Sequence, residues 1–381
     1  MRILHLMIGK EKFTKGVVDL YNENFDNGEH EICYLIIEGQ PTCFRNDISI
    51  PQYEICLTKS DFGGIKYNMD IISLMKNYDF VVLHSFCISN VLILYLFSHV
   101  KYCKQHIIWI EWGFDLYDFQ LQEKPSLKNR ISYHIKKQVR NNVNSVICIF
   151  PPDRDYFKNR FPKSKARILY APYISDKTST GVYKYQPTIS RLKETKENSE
   201  PIYIQIGHNA QKQLNHLKAL EVLSKFKDEN IKLVLPLSYC ADQPYIDQIS
   251  KYLEDVFPNK YIILKDFIPK EEYFRIVRRI DIAIFYTYRQ TALSNIYEMI
   301  NNNVKLFMPE GSVMKDYFSS LGIPIGSIES IQNIDFEQFT SNIEWEKISG
   351  PKEFIDRLND YDRQLKYWTD IYDELRSKNE Q

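Results

Sequence analysis

The chain has 381 residues, with 49 Lys and Arg balanced by 49 Asp and Glu, and 44% of it is hydrophobic. That length suggests two domains, or one large one, and the composition excludes a disordered or collagen-like chain. The balanced charge argues against a dedicated nucleic-acid binder, which carries a basic excess, so no nucleic-acid partner is expected. Cys33, Cys43, Cys56, Cys87, Cys103, Cys148 and Cys240 include no C-x-x-C pair, so reduced thiols are expected, with neither a disulfide framework nor a metal site.

The opening residues, Met1-Arg2-Ile3-Leu4-His5-Leu6, read as a buried strand and lack the layout of a signal peptide. Further strand-like runs follow at 32–37, 80–84, 107–110 and 146–150, and a second series at 202–206, 231–235, 261–264, 282–286 and 304–308. Short continuous apolar runs separated by helical stretches suit parallel strands covered on both faces. The run 80–100 holds no Lys, Arg, Asp or Glu, which is long enough for a membrane span. Because His84, Ser85, Ser89, Asn90, Ser98 and His99 interrupt it, it reads as a strand, a turn and a buried helix from 90 to 99.

Two strand series predict an α/β chain of two Rossmann-like, doubly wound domains facing across a cleft. The first spans 1–175 and the second 201–350, with a polar linker at 175–200. A tail at 351–381 carries Phe354, Leu358, Tyr361, Leu365, Trp368 and Tyr372 at helical spacing, suited to packing back on the first domain.

Chemistry-bearing residues gather at strand ends, where open α/β sheets bind ligands. In the second domain Ile206-Gly207-His208-Asn209 leads into Asn215-His216 and a helix. Gly207 admits close backbone approach to a phosphate, although a plain strand-to-helix turn would look the same. Ser238 and Tyr239 follow the next strand and are suited to contacting a base or sugar. The stretch Tyr288-Arg289-Gln290-Thr291-Ala292-Leu293-Ser294-Asn295 ends a strand and starts a helix. Arg289 is the natural partner of two phosphate oxygens, with helix-start amides around Ser294 and Asn295 adding positive potential. Glu298 lies two helical turns past Gln290, on a similar face.

In the first domain, Glu111-Trp112-Gly113-Phe114-Asp115-Leu116-Tyr117 sets two carboxylates around an aromatic-Gly corner. Apolar surroundings raise a carboxyl's pKa towards that of a useful base; the alternative is that the carboxylates cap the next helix. Asp115 ranks first as catalytic base, Glu111 second and His84 third. Trp112 and Tyr117 offer faces for a sugar ring. The segment 124–167 is rich in Lys and Arg, with Lys136, Lys137 and Arg140 at its centre, and is expected to face an anionic membrane surface.

Taken in order, Trp112-Gly113-Phe114-Asp115-Leu116-Tyr117, Gly207-His208-Asn209 with Asn215-His216, Val234-Leu235-Pro236-Leu237-Ser238-Tyr239 and Tyr288-Arg289-Gln290 resemble glycosyltransferase family 56. These are the TDP-N-acetylfucosamine:lipid II N-acetylfucosaminyltransferases of enterobacterial common antigen assembly. The likeness runs from about 107 to about 325. It departs from the family at 292–295, which lacks the expected glycines, and at Glu111, where an apolar residue is expected. The resemblance implies a GT-B fold and an inverting transfer without metal or other cofactor. It also implies a dTDP-sugar donor, a lipid-pyrophosphate-linked glycan acceptor and a peripheral place on the inner face of the bacterial cytoplasmic membrane. A sugar-nucleotide epimerase and a non-catalytic glycan-binding assembly subunit are the rival readings.

Overall fold

A computed structural model describes residues 1–9, 12–25, 28–37, 51–57, 65–117, 126–173, 200–238, 242–266 and 268–379. The chain forms two compact units, Met1–Thr180 with Asp360–Gln381, and Gly181–Asn359.

The first unit is built on β1 (Ile3–Ile8), β2 (His30–Ile37), β3 (Gln52–Leu57), β4 (Phe80–His84), β5 (Ile107–Glu111), β6 (Ser145–Cys148) and β7 (Arg167–Tyr170). Their spatial order is β3-β2-β1-β4-β5-β6-β7, with parallel pairing throughout. Side chains alternate between the faces of a strand, so β1 divides its residues between two cores. Leu4 and Leu6 join the layer containing Val81, Leu83 and Trp109. Ile3 and Met7 join the opposite layer with Val82, Ile108 and Ile110.

That second layer is closed by the helices Lys12–Asn24 and Tyr361–Asn379. Tyr21 and Tyr372 share a hydroxyl hydrogen bond of 2.6 Å, and the Trp368 indole donates to the Pro172 carbonyl. The segment after Pro351 is two helices: Gly350–Asn359, whose Phe354 packs on Tyr297 and Phe318 of the second unit, and Tyr361–Asn379 on the first.

The second unit carries β8 (Ile202–Ile206), β9 (Ile231–Pro236), β10 (Tyr261–Leu264), β11 (Ile282–Ile284), β12 (Lys305–Met308) and β13 (Ile325–Ser327), ordered β10-β9-β8-β11-β12-β13 and again all parallel. The apolar run 80–100 is β4 followed by the helix Asn90–Ser98, which Ser89 caps by accepting from Leu92 N–H. Among the described residues no helix is long and apolar enough to cross a membrane. The described cysteine thiols, Cys33, Cys87, Cys103 and Cys148, are free.

Candidate functional site

In each sheet the chain winds outward from a central strand and then returns to its other side. The turning point lies between β8 and β11 in the second unit and between β1 and β4 in the first. Loops leaving the carboxyl ends of such neighbouring strands diverge and leave a crevice for a ligand.

In the second unit the loops after β8 and β11 are stitched together across that crevice. The His208 ring lies 3.0 Å from the Asn209 amide nitrogen and 3.3 Å from the Thr291 hydroxyl. Asn209 Oδ1 accepts from Gln211 N–H, and the Gln211 side-chain Oε1 accepts from Arg289 at 2.8 Å. Arg289 also donates to the Gln290 carbonyl at 2.9 Å. It is only 6% exposed, so its guanidinium is oriented before any ligand arrives. Gly207 has φ +64°, and a Cβ there would stand 2.7 Å from His216 Nε2, so only glycine fits this turn. Burial pushes His216 down to about 4, leaving a neutral ring against it. Ala292 takes φ +53° at the entry to the helix Leu293–Asn301.

The other residues expected at the donor site divide. Gln290 is buried, Tyr288 and Ser294 are exposed, and Ser238 is half-buried just past β9. Asn295 reaches the Tyr273 hydroxyl, which also holds Gln205. Tyr239 lies outside the described residues. Glu298 is 0% exposed, and its Oε1 accepts from Arg278 Nε at 3.0 Å and from Asn302.

The first unit's expected residues are reordered by their hydrogen bonds. Asp115 Oδ2 accepts from Phe86 N–H at 2.6 Å and Trp109 Nε1–H at 2.7 Å, and Oδ1 accepts from Trp112 N–H at 2.8 Å. Glu111 accepts from Gly113 N–H and Ile149 N–H. Burial first, then the charges of Asp153 and Asp115, push its pKa well up. Both carboxylates sit inside the protein and tie strand-end loops to one another. Tyr117 is also buried, donating to Asp153 and stacked on Tyr156, so it offers no open face to a sugar. Trp112 is half-buried against Tyr173.

His84 stands differently. It ends β4 at the turning point, with Nε2 2.9 Å from His5 Nδ1, and His5 Nε2 lies 2.9 Å from His30 Nδ1. Its own Nδ1 engages no described residue. Burial pushes His84 to about 3 and His30 to about 4, and lowers His5 well below its usual value, so all three rings are neutral near pH 7. A neutral imidazole oriented through one nitrogen, with the other engaging no described residue, has the layout of a general base.

Of the basic residues expected on a membrane face, Lys136 and Lys137 are half-buried on the helix Leu127–Asn141. Arg140 is corrected: it is 1% exposed, its guanidinium lying over the Phe86 and Trp109 rings. Those faces hold the cation within the unit by cation–π attraction. Gln211 and Thr291 were not singled out from the sequence. Their only signal is polarity, since their partners lie 78 and 83 residues away.

Several solved structures share this fold. Sucrose-phosphate synthase from Thermosynechococcus elongatus matches with a TM-score of 0.69 at 10% identity, covering 99% of this chain and 100% of that one. HepE from Anabaena in complex with UDP matches at 0.63 and 11% identity, again covering 99% and 100%. A glycosyltransferase from Rickettsia africae matches at 0.64 and 12% identity, with 98% of each chain covered. Two all-parallel units wound in this way define the fold class as GT-B. The profile of the 4-alpha-L-fucosyltransferases, glycosyl transferase group 56, matches residues 66–325, well over half of the chain. The protein belongs to glycosyl transferase group 56 and is a glycosyltransferase.

Proposed function

We propose that the enzyme transfers a deoxyamino sugar of the N-acetylfucosamine kind from a dTDP-sugar to a polyprenyl-pyrophosphate-linked glycan in surface-polysaccharide assembly. The transfer inverts the anomeric centre and uses no catalytic metal. The observation that carries this reading is Arg289, buried at the β8/β11 turning point and oriented by Gln211 and the Gln290 carbonyl. A preset guanidinium beside the start of the helix Leu293–Asn301 suits a diphosphate, which gains charge as it leaves. HepE, a structural neighbour, has been seen with UDP and with UDP-glucose, which supports a nucleotide-sugar donor here.

In the proposed reaction an acceptor hydroxyl attacks the anomeric carbon. The new C–O bond forms as the bond to the diphosphate breaks, and the diphosphate departs with the electron pair. The hydroxyl proton passes to a base, for which His84 Nδ1 is chosen over Asp115 and Glu111. Both carboxylates are already committed to protein donors, while among the described residues His84 is held through Nε2 only. Burial that holds the ring neutral also weakens it as a base. The lipid-linked acceptor brings the enzyme to the inner face of the cytoplasmic membrane as a peripheral protein.

The test is transfer from dTDP-4-acetamido-4,6-dideoxygalactose to a polyprenyl-pyrophosphate disaccharide, with the product's anomeric configuration read by NMR. Acceptor-dependent product of inverted configuration, unaffected by a chelator, is expected. Donor isomerised without acceptor would mark an epimerase, and turnover abolished by chelation would overturn the metal-free chemistry.

A further inference from the structure

The helices Asn90–Ser98 and Leu127–Asn141 of the first unit pack side by side, and their outer surface is unlike that of a helix facing only water. Leu127 is 74% exposed and Ile131 55%. With His134 and Gln138 they recur at i, i+4, i+7 and i+11, which places them on one stripe. Phe97 and Val100, both exposed, border the same shallow depression as His134 and Gln138. Leu94, one turn before Phe97, is exposed as well. Single exposed apolar residues need no account, but a grouped set marks a contact surface.

The charges on the helices themselves have one sign. Lys101, Lys104 and Arg130 are exposed, and neither 90–106 nor 127–141 contains an Asp or Glu. Protein partners are usually held by aromatic and Arg anchors seated in pockets. Mostly aliphatic tips edged by Lys and Arg, with no acid among them, instead match helices that lie in a bilayer interface. We infer that this surface docks on an anionic lipid bilayer, its apolar side chains entering the headgroup boundary and its cations pairing with lipid phosphates. The inference rests on the proposed lipid-linked acceptor and names the face that meets the membrane. Arg140, which the sequence placed in the basic patch, takes no part because it is buried.

Flotation of the full chain with phosphatidylglycerol-containing vesicles tests it. Binding is expected to weaken with salt yet keep a resistant fraction at about 0.5 M, because screening removes charge attraction but not apolar insertion. The double variant Leu127→Gln/Ile131→Gln keeps the charge and puts good helix formers at exposed sites. It is expected to lower the partition coefficient by about tenfold or more and to abolish the resistant fraction. Its thermal unfolding and dTDP affinity should match the parent's. Equal vesicle binding by parent and double variant would overturn this face and leave the membrane reading intact. A parent that binds no vesicles would overturn both, and dTDP affinity measured on the same sample separates that result from failure of the transferase reading. Capture by an acidic protein with no vesicle binding would also overturn it.

Discussion

His84 Nε2 lies 2.9 Å from His5 Nδ1, a contact between β4 and β1 at the point where the first sheet changes direction. His5 in turn meets His30, and the Tyr21 ring packs on both. Three imidazoles in a core otherwise filled by aliphatic and aromatic side chains are expensive unless their polar nitrogens are engaged. Here the chain of contacts fixes the orientation of His84 at a strand's carboxyl end.

His84→Gln retains a polar side chain of similar reach and removes the proton-accepting ring nitrogen. If His84 is the base, kcat falls by about a hundredfold or more, within the range for general-base catalysis. Affinity for dTDP, measured by calorimetry, stays at the parent value. Retained kcat would return the search for the base to the carboxylates.

The histidine chain also sets an acid limit on stability. In the unfolded chain each ring takes a proton near 6.5, while in the fold His84 is held at about 3 and His30 at about 4. Below 6.5 the unfolded state therefore binds protons that the folded state refuses, and stability falls with falling pH until the folded values are reached. At pH 5 the loss is up to about 2 kcal/mol for each ring, at 1.36 kcal/mol per pH unit. Urea unfolding midpoints between pH 8 and pH 5 should fall mainly below pH 6.5. A midpoint unchanged across that interval would mean the rings are not buried neutral.

Asp115→Asn should behave as a structural lesion. The carboxylate accepts three hydrogen bonds, and an amide presents an N–H to at least one of those donors. A loss of about 2–4 kcal/mol is expected, with a change in the fluorescence of Trp109. A fully stable variant with abolished turnover would make Asp115 catalytic after all.

Ala292 occupies φ +53°, a conformation that glycine adopts without the Cβ penalty. Ala292→Gly is expected to stabilise the protein by about 0.5–1 kcal/mol, set against the greater freedom glycine gains when unfolded. A lowered unfolding temperature would show that the turn is not strained.

The sequence conveyed the strands and concealed the contacts. Central strands such as Ile107–Glu111 and Ile202–Ile206 are continuous apolar runs because both faces are covered. The edge strands Gln52–Leu57, Arg167–Tyr170 and Ile325–Ser327 were not read. They include polar or small residues that break the pattern. Arg289 was recognisable from its place between a strand end and a helix. Gln211, which orients it, was not, because that bond spans 78 residues. Asp115 and Tyr117 were conspicuous as a motif, yet their burial is a tertiary fact, and burial decides that they brace the loops. Arg140 looked like surface charge for the same reason, since nothing in its own helix announces the Phe86 and Trp109 rings above it.

In the proposed donor site the crevice at β8 and β11 holds the donor's diphosphate through Arg289. Calorimetric titration of dTDP into the parent and into Arg289→Ala tests it most directly. The parent is expected to bind and the variant to bind at least about tenfold more weakly, as for a lost charge-assisted contact of roughly 1.5–3 kcal/mol, with circular dichroism confirming that the variant is folded. Equal affinity in the two proteins, or no affinity in the parent, would contradict it.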